Sequence, residues 1–287
     1  MPRSKLDEHA RTIRAQWLGE QMRQLRERRR LTLKDAGEYL GRDLSAVSRY
    51  ELAEWPFKRF DVMALLDLYA VHDEEQRRVL VELADQAWRT DHWDSDGSGK
   101  ADDGPFVDRQ WLEAHARLIG IYCGGVIRPP LQAAGYAHAW AKLRTGLPVR
   151  EGQIEREIER QRDLLSGPTR VSVVIDEVGL RRRLGGPDVM TDQLRHLANV
   201  AEYSNVEVLV LPMAAPRPWH EAPFWVFAMP ENYPEVAMVE GLVGTVYVET
   251  PRSKRFVRAY EELRLASLSR SDSAEMISKV AKELTTA

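Results

Sequence analysis

The feature that most constrains this 287-residue chain is a pair of short helical segments joined by the turn Gly41-Arg42-Asp43. Thr32 is placed to cap the first segment, which runs through Ala36 to Leu40, and Gly41 ends it as a C′ glycine. Asp43 then caps the second, Leu44 to Glu51. Helix, tight turn and helix make a helix-turn-helix. Three further helices are expected around it. One runs about Ala15 to Arg29, with Trp17, Leu18, Met22 and Leu25 on one face. Another runs about Asp61 to Tyr69 and carries Val62, Leu65 and Leu66. The last starts after Asp73, with Glu74 and Glu75 in the first turn where the helix dipole favours them.

A chain of this length suits one large domain or two ordinary ones. Thr90 to Pro105 is polar, rich in Asp and Gly, and without hydrophobic periodicity, so it reads as a linker. The expected organisation is a helix-turn-helix domain over 1–89, an acidic linker over 90–108 and a second domain over 109–287. Asp94, Asp96 and Gly99 partly fit a calcium loop, but its twelfth position is Pro105 where a bidentate Glu is needed. No metal and no cofactor are expected. The net charge of −3 conceals an asymmetry: residues 1–60 carry 14 Lys+Arg against 9 Asp+Glu, and residues 61–108 carry 4 against 13. Only the first piece suits a polyanion.

Val47 and Tyr50 should face the core, which turns Leu44, Ser45, Ser48 and Arg49 outward as base-reading candidates. Arg49 is long enough to hold guanine O6 and N7 together, and Leu44 suits a thymine methyl. Thr32, Lys34, Arg42, Lys58 and Arg59 are the candidate phosphate contacts. Glu51 is expected to be structural, paired with a nearby arginine. The basic run Arg26 to Arg30 is read as the favourable cationic end of its helix.

These residues resemble the XRE-type, lambda-repressor-like DNA-binding domain over about residues 14–72. The resemblance rests on Leu31-Thr32, the small Gly37 inside the second helix, Gly41 in the turn, and Val47-Ser48-Arg49-Tyr50-Glu51 closing the third. It departs from the pattern at Gly37, usually Ala, and at Leu44, where a polar residue is common. The resemblance implies an operator-reading protein.

Beyond the linker, helices are expected over Trp111 to Tyr122, Tyr136 to Leu143, Ile154 to Leu165, Asp188 to Tyr203, Pro251 to Ser267 and Asp272 to Leu284. Strands are expected over Val171 to Ile175, Val206 to Leu211, Phe224 to Ala228, Val236 to Glu240 and Thr245 to Val248. The fold class is therefore an all-α N-terminal helix-turn-helix domain of about five helices plus a mixed α/β C-terminal domain. Ile127-Arg-Pro-Pro-Leu-Gln132, Val174-Ile-Asp-Glu177, Leu184-Gly-Gly-Pro187 and Val239-Glu-Gly-Leu242 resemble the C-terminal domain of actinobacterial helix-turn-helix regulators described as antitoxin-like. That resemblance covers roughly 109–285, implies a small protein partner encoded nearby, and carries over no ligand-binding residue.

The sequence assembles no enzymatic constellation. HExxH, GxxxxGK[ST] and GxSxG are absent, and the histidines lack ligand spacing. Asp176-Glu177 is expected to cap the segment after its strand, and Cys123, the single cysteine, to be a small buried apolar residue. The Pro-rich stretch holding Arg217, Trp219, His220, Phe224 and Trp225 reads either as a packed Ω-loop or as a binding surface, and is the first choice for an effector or partner surface. One cysteine and no bilayer-length apolar run suit a cytoplasmic protein with no membrane partner. Met1 to Lys5 is followed by no apolar run, so no secretory signal is expected. The leading expectation is a sequence-specific transcriptional regulator. It binds double-stranded DNA as a homodimer, and its C-terminal domain senses a ligand or binds a small protein. The alternative is an antitoxin-like protein that mainly neutralises a small partner and binds DNA as a complex. An enzyme regulating its own expression comes third.

Overall fold

The computed structural model describes residues 12–87, 93–96, 109–145, 152–216, 222–230, 233–241 and 244–285. Five helices come first: α1 (Ile13–Arg28), α2 (Leu33–Leu40), α3 (Leu44–Glu51), α4 (Arg59–Leu68) and α5 (Glu74–Gln86). The caps lie where the sequence puts them. Thr32 and Asp35 form a reciprocal capping box on α2, Asp43 accepts from Ala46 N–H on α3, and Asp73 accepts from Gln76 N–H on α5. Ile13, Leu18, Met22, Val47, Val62, Leu65, Leu66 and Leu83 are fully or almost fully buried and form the core of this half. The α1–α3 crossing is close because Gly19 lies on it; a Cβ there would collide with the Glu51 carbonyl.

Four of these helices end in one motif. After α2, Gly41 sits at φ 65° and Arg42 N–H donates back to Gly37 O at 2.8 Å. The same closure follows α1, α3 and α4, but the left-handed residues there are Arg30 (φ 57°), Ala53 (φ 53°) and Ala70 (φ 50°). Their partner bonds are Leu31 N–H to Arg26 O, Glu54 N–H to Arg49 O and Val71 N–H to Leu66 O. A side chain in this conformation is strained. Arg30→Gly is therefore expected to stabilise the chain by about 0.5–1 kcal/mol net of the glycine's extra unfolded-state entropy. Urea denaturation checks it, and an unchanged or lowered midpoint would show that the exposed Arg30 side chain contributes more than the strain removes.

The remaining elements are β1 (Trp93–Asp96), α6 (Arg109–His115), β2 (Leu118–Cys123), α7 (Ala134–Thr145), α8 (Gln153–Ser166), β3 (Arg170–Asp176), α9 (Glu177–Arg181), α10 (Pro187–Val200), β4 (Val206–Leu211), β5 (Phe224–Ala228), β6 (Val236–Gly241), β7 (Gly244–Glu249), α11 (Lys254–Ala266) and α12 (Arg270–Thr285). They build a seven-stranded sheet in the order β1-β7-β6-β5-β2-β3-β4. β2, β3 and β4 run parallel, and the other pairings are antiparallel. Alternate residues serve opposite faces. Ile121, Val173, Val208, Trp225 and Met238 meet Leu165, Met190, Leu194, Ile277 and Val280 from α8, α10 and α12. Tyr122, Val174, Leu209, Phe224 and Val226 meet Tyr260 and Leu263 of α11. Tyr260 seats this second layer by donating to Ser172 O at 2.7 Å, over a sheet position where Gly120 leaves room for the ring.

Two expectations need correction. The helix expected over Trp111 to Tyr122 ends at His115, and Leu118–Cys123 is a strand. β2 lies inside the sheet with both faces covered, so its apolar run is continuous and lacks the alternation that marks a half-exposed strand. Within the stretch read as a loop, Trp93–Asp96 pairs antiparallel with β7; the rest of that stretch, including Gly99 and Pro105, lies outside the described residues.

The turn after β2 is held by amide side chains. Gln132 donates to Ile127 O at 2.8 Å, and Gln193 accepts from Ala133 N–H and donates to Leu131 O. Ile127 N–H in turn donates to the Tyr136 hydroxyl at 3.0 Å. The Ile127–Gln132 segment is thus pinned to α7 and α10 by side-chain hydrogen bonds.

The first turn of α1 also meets the far end of the sheet. Ile13 N–H donates to the Glu249 carboxylate at 3.1 Å, and Glu249 is 4% exposed. Burial pushes this carboxyl up to about 7, against the lowering effects of the Ile13 hydrogen bond and the Arg14 charge.

Candidate nucleic-acid interface

The recognition-helix candidate α3 is fixed from beneath. Val47 and Tyr50 are buried, and Tyr50 packs against Phe57 and Trp55 at 5.2 and 6.1 Å between ring centroids. The structure pairs Glu51 with Arg26 of α1. The pair is bidentate, at 2.7 and 2.8 Å, and both side chains are buried. Arg26 also donates to Leu31 O at 2.8 Å, and the Glu51 hydrogen bonds hold its pKa above the ordinary guanidinium value. Arg26 is therefore a buried structural ion, unlike its neighbours at the solvated helix end. Arg29 closes the same end differently, donating to Tyr69 O and Ala70 O at the end of α4.

This scaffold leaves Leu44, Ser45 and Arg49 exposed and Ser48 half-exposed on the outer side of α3. Leu44 is 53% exposed, large for an apolar side chain on a well-packed module. Ser45 donates to the Asp43 carboxylate at 2.7 Å, so the cap and the first outward residue are linked. Arg49 stacks its guanidinium over Trp55, 4.6 Å from the ring centroid, and makes no ion pair or side-chain hydrogen bond among the described residues. Trp55 escaped the sequence reading. Its signal was a large aromatic ring just before Pro56, six residues after Arg49.

The phosphate candidates divide into two groups. Thr32 and Lys34 are exposed at the start of α2, and Lys58 is exposed where it caps α4. Lys34 lies 3.7 Å from Glu38 on the same helix. Arg59 is held by Asp85 at 2.6 Å. Arg42 is held by Asp61 at 3.0 Å and lies over the Tyr50 ring, which makes it a brace between the turn and α4.

The profile of a helix-turn-helix domain matches residues 17–80, and that of a domain of unknown function, DUF5753, matches residues 107–279. The chain belongs to the DUF5753 family. No curated protein and no solved structure matches it.

Within the DUF5753 half, Asp176 and Glu177 have local partners and Cys123 is enclosed. Asp176 caps α9 by accepting from Val178 N–H at 3.1 Å, and Glu177 binds Arg181 and accepts from Met213 N–H. Cys123 is fully buried, and burial pushes its thiol up to about 12. Phe224 and Trp225, expected at an effector surface, are instead inside β5. One faces the α11 layer and the other the α8, α10 and α12 layer, so neither is available to a partner. Arg217, Trp219 and His220 lie outside the described residues. No helix among the described residues is long and apolar enough to cross a membrane.

Proposed function

We propose that this chain is a sequence-specific DNA-binding transcriptional regulator, cytoplasmic and homodimeric. In this reading α3 enters the major groove, and the DUF5753 domain senses a ligand or binds a small protein partner. One observation carries the DNA reading. The core-facing residues Val47 and Tyr50 fix α3 so that Ser45, Ser48 and an uncommitted Arg49 guanidinium share its outer side. Thr32, Lys34 and Lys58 flank that side as phosphate contacts. A homodimer follows from the small information content of one recognition helix, which two half-sites would double.

The C-terminal domain acts by binding in this reading, supported by the capping role of Asp176, the ion pair of Glu177 and the inaccessible Cys123 thiol. The antitoxin-like reading draws on the acidity of residues 61–108, yet part of that charge is neutralised inside the module. Asp61 binds Arg42, Asp67 binds Arg77, Asp85 binds Arg59, and Glu82 binds Arg78. The DNA reading therefore stands first.

Genomic-fragment pull-down with the purified chain at physiological salt, followed by sequencing, tests it. A short palindromic site is expected. Arg49→Ala is expected to weaken binding to that site by about 1–3 kcal/mol and to relax one base preference. Enrichment no greater than for random fragments rejects the DNA reading for the free chain.

A further inference from the structure

We propose that Trp55 is a positioning residue for sequence readout: its ring fixes the plane of the Arg49 guanidinium and leaves the N–H edge free to take a guanine. The proposal rests on the DNA reading above and assigns a specificity role to a residue outside α3.

The geometry is built from the end of α3. The chain turns back at Ala53, in the left-handed conformation, and both Glu54 N–H and Trp55 N–H donate to the Arg49 carbonyl, at 2.8 and 3.2 Å. The Trp55 backbone is thus tied to the residue whose side chain its ring meets. The ring is steadied by an edge-type contact with Tyr50, itself buried, at 6.1 Å between centroids. Arg49 then lies over Trp55 with its guanidinium carbon 4.6 Å from the ring centroid.

A cation–π contact with the ring uses no hydrogen-bond acceptor, and the Arg49 guanidinium makes no side-chain hydrogen bond or ion pair among the described residues. This differs from the other arginines that touch α3 or its turn. Arg26 commits Nε and Nη2 to Glu51 and Nη1 to the Leu31 carbonyl, and Arg42 is drawn by Nη2 to Asp61. Bidentate guanine recognition needs a planar fork held in one orientation, and a free arginine loses rotamer freedom to reach it. Stacking on Trp55 removes part of that loss before DNA arrives.

Binding of the selected site and of a random duplex by the full-length chain tests the proposal, with wild type, Trp55→Leu, Trp55→Phe, Arg49→Ala and Arg49→Ala/Trp55→Leu compared. Thermal melts first establish that each variant is folded. Trp55→Leu is expected to weaken the selected site about two- to fivefold, in proportion to an exposed cation–π contact, and to leave the random duplex unchanged. It is expected to relax preference at the same base pair as Arg49→Ala. Trp55→Phe is expected to restore most of that preference, and the double variant to be no weaker than Arg49→Ala alone. Full base preference in Trp55→Leu overturns the proposal, as do losses that multiply in the double variant. In both cases the wild-type selection still supports the DNA reading. A wild-type chain that selects no sequence overturns both.

Discussion

Removing either partner of the Arg26–Glu51 pair is expected to cost about 3–5 kcal/mol, the range for stranding one buried charge. Arg26→Met and Glu51→Leu are the single changes, read by urea denaturation of the full chain. Both partners are buried, and the pair ties α1 to the end of α3 across the crossing at Gly19. The double variant Arg26→Met/Glu51→Leu is expected to recover most of the loss, because it leaves no buried ion to neutralise. Losses that simply add would refute the stranded-charge account and assign the cost to lost packing. Since α3 carries the outward side chains, the singles are also expected to lose DNA binding in step with folding.

The second large effect is a pH dependence centred on Glu249. Its carboxyl titrates at about 7 in the folded chain against an ordinary value of 4.5. The folded state therefore holds a proton that the unfolded chain releases between those values. Linkage then makes this contribution fully present below about pH 4.5 and lost as pH rises through about 7, with a total on the order of 3 kcal/mol. Stability of the wild type should fall across that interval by more than that of Glu249→Gln, which keeps an acceptor for Ile13 N–H without a charge. At pH 8 the Gln variant should be the more stable of the two. Parallel curves for the two proteins between pH 5 and 8 would rule the Glu249 titration out.

The N-terminal half was largely legible before its structure because its signals are local. Thr32, Gly41, Asp43 and Asp73 each act on backbone groups within four residues of themselves, and each occupies the expected cap or turn. Glu51 was legible only in part. Its need for an arginine follows from burial, but the choice of Arg26 depends on how α1 crosses α3, a contact between residues 25 apart. Strand β2 was illegible for a related reason. Ile119, Ile121 and Cys123 face one layer and Tyr122 the other, so burial on both sides removes the periodic signal. Phe224 and Trp225 carried two sequence readings, the start of a strand and the end of a Pro-rich partner surface; pairing with Tyr122 and Ile121 in β2 and cover on both faces leave only the strand. The Arg49–Trp55 stack needs the reversal at Ala53, and an alanine gives no hint of a left-handed turn.

The left-handed helix ends have an evolutionary consequence. Every alanine codon and every arginine codon becomes a glycine codon by a single base change. Arg30 and Ala70 are thus one nucleotide from the residue their backbone favours, and neither belongs to the base-reading set on α3. A lineage facing warmer growth could harden this domain by such changes while its operator preference stayed fixed. Relatives from hotter habitats should therefore carry glycine at these helix ends more often than elsewhere in the domain.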